Sequence, residues 1–160
     1  MNLTHLHLLL NHAPVLGSIF GLGLLLFSFW RKSEELKNTA LGVFIICAIV
    51  AVPVYLTGEP AEGLVKGLPG VSAVLMEQHE EAAGVALTGV IVLGVAAIAR
   101  FLLFRRGKMV PAWFGGLMLV AALTVCGMMA WTANLGGQIR HSEIRSNTGQ
   151  PALTGNQDKD

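Results

Sequence analysis

The chain has five histidines, and an imidazole is the side chain best suited to hold a haem iron or a transition metal at neutral pH. Four of them are candidate cofactor ligands: His7, His12, His79 and His141. Carboxylates that could complete a non-haem metal site lie near them in the predicted outer layer, above all Glu59 and Glu77. Histidine with carboxylate is a donor set of zinc, copper and non-haem iron. No compact ligand motif of the H-E-x-x-H or E-x-x-H kind occurs, which makes such a site the second hypothesis.

Other chemistry is excluded by missing motifs. The sequence has no phosphate-binding Gly-rich loop, no nucleophile elbow, no C-x-x-C-H haem-attachment motif and no basic surface for nucleic acid. We therefore expect no nucleic-acid partner, and no catalysis by this chain alone.

The histidines must be positioned by membrane helices, because the composition excludes an ordinary water-soluble domain. Of the 160 residues 53% are hydrophobic and 13% are charged, whereas soluble domains carry about 25% charged residues. A bilayer core about 30 Å thick takes roughly 20 apolar helical residues to cross. Four stretches contain no Asp, Glu, Lys or Arg: Met1–Trp30, Asn38–Gly58, Ala82–Ala99 and Met109–Ile139. They predict an all-α bundle of four transmembrane helices, at about Leu3–Trp30, Asn38–Leu56, Ser72–Phe104 and Pro111–Asn134.

The basic residues predict how the bundle is oriented. Seven of the eleven Lys and Arg lie in the two short turns after the first and third helices, and short cytoplasmic loops collect basic residues. Both termini are then expected on the outer, periplasmic side. Residues 57–70 form an outer loop with one short helical turn, residues 1–141 form the transmembrane domain, and 142–160 form a polar tail that is flexible or ordered by a partner.

This orientation places all five histidines in the outer half of the protein. At 1.5 Å per residue, His12 lies about 27 Å from Trp30 and His79 about 31 Å from Arg100, at the inner ends of the first and third helices. Matched depth on two helices makes these two the first ligand pair, with His7 and His141 just above as a second pair or as supporting groups. The alternative is that each imidazole is an interfacial polar group without a ligand.

Neighbouring residues suit a haem between the helices. Asn11 or Glu80 could accept a hydrogen bond from the imidazole nitrogen that does not face the iron, as the partners of ligating histidines do. Ala83 and Ala86 leave little bulk below His79, which suits a flat macrocycle. Small residues also serve only to let helices approach, so this alternative stays open.

Two motifs support a resemblance to a known group. His7 to Pro14 reads H-x4-H-x-P, and Gly136 to His141 reads G-G-x-x-x-H. The chain resembles, over about residues 5–141, a widespread group of small bacterial four-helix membrane proteins of unknown function. Two departures are Leu8, where the group has a proline, and Gln138-Ile139-Arg140 in place of an apolar-aromatic run. The resemblance implies a bacterial inner-membrane protein that binds haem beside respiratory proteins, with His7, His12, His79 and His141 as candidate ligands.

From these observations we expect a b-type cytochrome-like electron-transfer subunit with its haem on the periplasmic side. All candidate ligands lie in one layer, so the subunit would exchange electrons between quinone and an outer electron carrier within a larger redox complex. Two alternatives stay open. One is a cofactor-free anchoring subunit of a membrane redox or photosynthetic complex, and the other is a non-haem metal-binding membrane protein.

Overall fold

The computed structural model describes residues 2–103, 111–141 and 144–145, and all regular elements within these ranges are helices. The predicted tail 142–160 lies outside the described residues except for Ile144 and Arg145. In chain order the helices are α1 (Leu3–Leu10), α2 (His12–Arg31), α3 (Glu34–Leu56), α4 (Gly58–Val65), α5 (Ala73–Leu103) and α6 (Ala112–Arg140).

Together these helices form four stretches that are long and apolar enough to cross a membrane, as the sequence predicts. They are Leu3–Arg31, Glu34–Val65, Ala73–Leu103 and Trp113–Arg140, with 28 to 32 residues each. At 1.5 Å per residue they are about 42–48 Å long, which exceeds a bilayer core of about 30 Å. Each stretch therefore reaches into the interfacial region, where polar side chains are tolerated.

The first stretch is interrupted where the sequence places a proline. Pro14 has no backbone N–H, so the carbonyl of Leu10 has no i+4 donor, and α1 ends at that residue. Asn11 still donates its N–H to the His7 carbonyl at 2.8 Å and keeps helical backbone angles. The interruption is one irregular turn within a span that otherwise continues.

Two helix ends differ from the prediction because charged and polar residues extend the helices. Helix α3, which corresponds to the second predicted transmembrane helix, begins at Glu34 instead of Asn38. The Ser33 side chain caps it by accepting the Leu36 N–H at 3.2 Å. Helix α6, which corresponds to the fourth predicted transmembrane helix, continues past its predicted end at Asn134 to Arg140. The predicted outer loop holds two turns of helix, α4, where one turn was expected.

The four long helices pack as a closed ring. Helix α2 contacts α3 and α6, and α5 contacts the same two helices, while α1 and α4 pack on each other at one end. The core contains Leu25, Phe44, Val90 and Leu93, each at most 1% exposed. Close approach depends on small residues: a Cβ at Gly94 would lie 2.6 Å from the Cβ of Ala48.

Large apolar side chains cover the outside of the ring. Leu26, Ile46, Val92 and Leu123 are each between 47% and 62% exposed, and all lie in the middle of a long helix. Exposed apolar patches of this extent are not stable in water. The structure therefore indicates a multi-pass membrane protein whose outer face contacts lipid.

Candidate histidine site

His79 lies in the interface between α5 and α6. Its Nδ1 is 3.0 Å from the backbone carbonyl of Thr132 on α6. A carbonyl only accepts hydrogen bonds, so the imidazole donates from Nδ1 and carries its lone pair on Nε2. The ring packs against Gly136, where a Cβ would lie 3.0 Å from its Cε1. Gly136 therefore leaves the space in which the His79 ring sits.

His7 is held in the same way by the last turn of α3. Its Nδ1 is 2.9 Å from the Val54 carbonyl and 3.3 Å from the Thr57 hydroxyl. The last four carbonyls of a helix lack their usual N–H partners, which leaves such groups available to side chains. The Thr57 hydroxyl itself donates to the carbonyls of Pro53 and Val54, so it accepts from the His7 N–H.

The two imidazoles lie at the same end of the bundle. One ring is carried by α1 and bonded to the last turn of α3, and the other is carried by α5 and bonded to α6. Both are half-buried. Within the described ranges neither Nε2 has a hydrogen-bond partner. Each imidazole thus has one nitrogen bonded to a backbone carbonyl and the other without a partner among the described residues.

The other histidines are on the outside. His12 is the first residue of α2 and is exposed, and its imidazole makes no hydrogen bond to a described residue. His141 caps the end of α6 and is also exposed, as is His5 on α1. The structure therefore half-buries His7 and His79 and bonds each to a backbone carbonyl, whereas His12 lies on the outside.

The residues expected to support the ligands lie elsewhere. Glu80 is exposed, and the role expected of it or Asn11 is taken by backbone carbonyls of α3 and α6. The Asn11 side-chain oxygen is buried without a partner among the described residues. Glu59 and Glu77 are exposed, and no group of three or more potential metal ligands occurs in the described ranges.

The space expected below His79 is occupied by a helix contact. Ala86 is buried in the core and Ala83 is half-buried. At Gly84, between them in sequence, an added Cβ would lie 3.6 Å from the Tyr55 hydroxyl. These small residues of α5 thus let α3 approach, which is the alternative that the sequence left open.

An open groove of ≈ 410 Å³ runs between α5 and α6. Its walls include Gln78 and Ala82 of α5 and Trp131 and Leu135 of α6, and they do not include His79. Adjacent residues of a helix point about 100° apart, so Gln78 faces the groove while His79 faces the helix interface.

Sequence reasoning missed the groups that orient the histidines. The Thr132 and Val54 carbonyls are backbone atoms, so no residue type marks them. Thr57 left a weak signal, because a threonine after Pro53 at a helix end often bonds to the preceding turn. Comparison of the chain with protein-family models, curated proteins and solved structures finds no match.

Proposed function

We propose that this protein is an electron-transfer subunit that holds one b-type haem between His7 and His79. The observation that carries the proposal is the shared state of the two imidazoles: each has its Nδ1 bonded to a backbone carbonyl and its Nε2 without a partner. Ligating histidines characteristically donate their other N–H to a carbonyl or carboxylate, which fixes the tautomer and makes the ligating nitrogen more basic.

Glycines leave room for both imidazole rings to be held in place. Glycine faces both imidazoles: a Cβ at Gly58 would lie 3.7 Å from the His7 Cε1, and Gly136 lies against His79. Haem iron accepts two neutral imidazoles as axial ligands and supplies reversible one-electron transfer. A site with two histidines and no third ligand among the described residues suits haem better than zinc or non-haem iron, which take three or four protein ligands.

The place of the site in the fold supports a role on one side of the membrane. His7 lies at the end of the bundle where α1 packs on α4, near the end of α3, and the turns richest in Lys and Arg are at the opposite end. By the positive-inside rule this layer faces the periplasm of a bacterial inner membrane. Its redox partners are then quinone in the bilayer and a periplasmic carrier or the subunits of a larger complex.

The test is a dithionite-reduced minus oxidised absorbance spectrum of the full chain, produced with added haem and purified in detergent. We expect an α-band near ~560 nm. His7→Ala and His79→Ala should each abolish it, whereas His5→Ala and His12→Ala should retain it. All four variants remove one imidazole, so His5 and His12 are matched controls.

Two results would overturn the proposal. A folded, monodisperse protein without any haem band would favour the cofactor-free anchoring role, and metal analysis of the same sample would identify a non-haem centre. Full haem occupancy in both His7→Ala and His79→Ala, with loss in His12→Ala, would instead assign the iron to a different histidine pair.

A further inference from the structure

At the end of the bundle opposite the histidines, one arginine is buried among the helices. Arg100, near the end of α5, is only 7% exposed. Its guanidinium donates to the Asn38 side-chain oxygen and, at 2.6 Å, to a carboxylate oxygen of Glu34. Its Nε–H has no acceptor in the part of the chain that the structure describes. Burying a cation among membrane helices is costly, and here its hydrogen-bonding capacity is not fully used.

A cavity of ≈ 190 Å³ adjoins this arginine. Arg100, Lys37 and Glu34 form its polar wall, and its apolar wall includes Leu25, Phe29 and Met118. The Lys37 ammonium also lies 5.4 Å from the centre of the Phe29 ring. Charge and apolar surface therefore meet in one small space, which suits a molecule with an anionic end and an apolar end.

The charges around the cavity leave it positive. Glu34 is the carboxylate of the cavity wall, and it is shared between the two cations Lys37 and Arg100. Arg31 and Lys32 follow at the end of α2, and Glu35 joins Glu34 in the first turn of α3. Four described cations against two carboxylates leave this end of the protein positive, which favours an anionic ligand.

We propose that this cavity binds an anionic phospholipid, with its phosphate at Arg100 and Lys37 and the start of an acyl chain along the apolar wall. Guanidinium and phosphate form strong charge-assisted hydrogen bonds. Basic pockets between transmembrane helices bind anionic headgroups on the cytoplasmic side, which is where the positive-inside rule places this end. Trp30 and Trp113, which are 77% and 67% exposed, are suited to anchor it at the headgroup level.

The full chain in detergent tests this directly. Dioleoyl phosphatidylglycerol should raise the melting temperature and stay bound in native mass spectrometry, whereas dioleoyl phosphatidylcholine and inorganic phosphate should do neither. Lys37→Gln should weaken phosphatidylglycerol binding about fivefold, the equivalent of ~1 kcal/mol for one basic side chain at an anionic headgroup. Lys66→Gln, an exposed lysine of the segment after α4, is the matched control and should bind like the native protein.

Arg100→Lys is the second variant, because it keeps the charge and the fold but removes the planar fork that matches phosphate. It should also bind phosphatidylglycerol more weakly. Equal binding of phosphatidylcholine, unchanged affinity in both variants, or displacement of the lipid by inorganic phosphate would each overturn the proposal. None of these readouts depends on haem.

Discussion

At the scale of single residues, the state of an imidazole is decided by what its second nitrogen touches. The His7 and His79 rings point one nitrogen at a carbonyl, at 2.9 Å and 3.0 Å, and leave the other without a partner among the described residues. His12 has no such anchor and lies on the outside of the bundle. An anchored ring loses less conformational entropy when it binds a ligand, and for this reason the anchored pair is the better site.

Gly136→Ala tests whether the position of the His79 ring matters. The new methyl group would lie 3.0 Å from Cε1 and 3.3 Å from Nδ1, so the ring must move away from the Thr132 carbonyl. We expect haem affinity to fall about 10-fold or more, the effect of losing an outer hydrogen-bond partner. The measurement is a haem titration followed by absorbance.

The control for this variant is Gly127→Ala on the same helix, where an added Cβ meets nothing within 4 Å. It should bind haem like the native protein. Equal haem affinity in Gly136→Ala and the native protein would show that His79 is not a ligand held in this position.

At the scale of the elements, the site depends on where helices end and how closely they pack. The irregular turn before Pro14 separates α1 from α2, and the last turn of α3 offers the carbonyl that receives His7. The α3 and α5 helices are held together by a contact that only a glycine allows, between Gly94 and Ala48. Since His7 is anchored on α3 and His79 is carried by α5, this contact also controls the separation of the two imidazoles.

Gly94→Ala should therefore loosen the α3 and α5 pair. The added Cβ would lie 2.6 Å from the Ala48 Cβ and 3.6 Å from the Phe44 carbonyl oxygen, which is backbone and cannot turn aside. We expect a loss of about 1–3 kcal/mol in stability, the usual cost of overpacking. Thermal unfolding in detergent, followed by circular dichroism, measures the effect.

Gly42→Ala on α3 is the matched comparison, because its Cβ would meet nothing within 4 Å. Replacing a helical glycine in open space should be neutral or should add up to about 1 kcal/mol. If Gly94→Ala melted at or above the temperature of Gly42→Ala, the close contact between α3 and α5 would be contradicted.

At the scale of the whole molecule, the two ends of the bundle differ in chemistry. One end carries the imidazole pair beneath α1 and α4, and the other carries Arg100 with its partners Glu34 and Asn38. Between them the outer surface is apolar over the middle of all four spans. Because basic loops prefer the cytoplasmic side of a membrane, we expect this protein to adopt one orientation, with the basic turns inside and the histidines on the opposite side.

Cysteine labelling tests this orientation. In a chain with Cys47→Ala and Cys126→Ala, Lys66→Cys should react with a membrane-impermeant maleimide in intact bacterial spheroplasts. Arg31→Cys, exposed at the end of α2, should react only after the membrane is permeabilised. The reverse pattern would place the histidine layer in the cytoplasm and change the predicted redox partners.

The four predicted transmembrane helices agree with the structure because each depends only on the hydropathy of consecutive residues. Their predicted boundaries differ from the structure where polar residues extend a helix. Ser33 and Glu34 lengthen α3. Ser33 caps the helix, and Glu34 pairs with Arg100, a partner 66 positions away in the sequence. His7 and His79, the two half-buried imidazoles that are bonded to backbone, are both among the candidate ligands of the sequence analysis. The exposure of His12 is not predictable from the sequence, because depth along a helix says nothing about the direction in which a side chain points.

The sequence by itself determined that this protein has four long apolar helices, since hydropathy and helix length are summed over consecutive residues and need no tertiary contact. The basic turns and the positions of the histidines are equally local. Only the tertiary structure decided that His7 and His79 are both bonded to backbone at the same end of the bundle, since that depends on the rotation of each helix and on which carbonyls, here those of Val54 and Thr132, lie within reach. Every residue has the same carbonyl, so residue types cannot reveal which carbonyls accept a side chain.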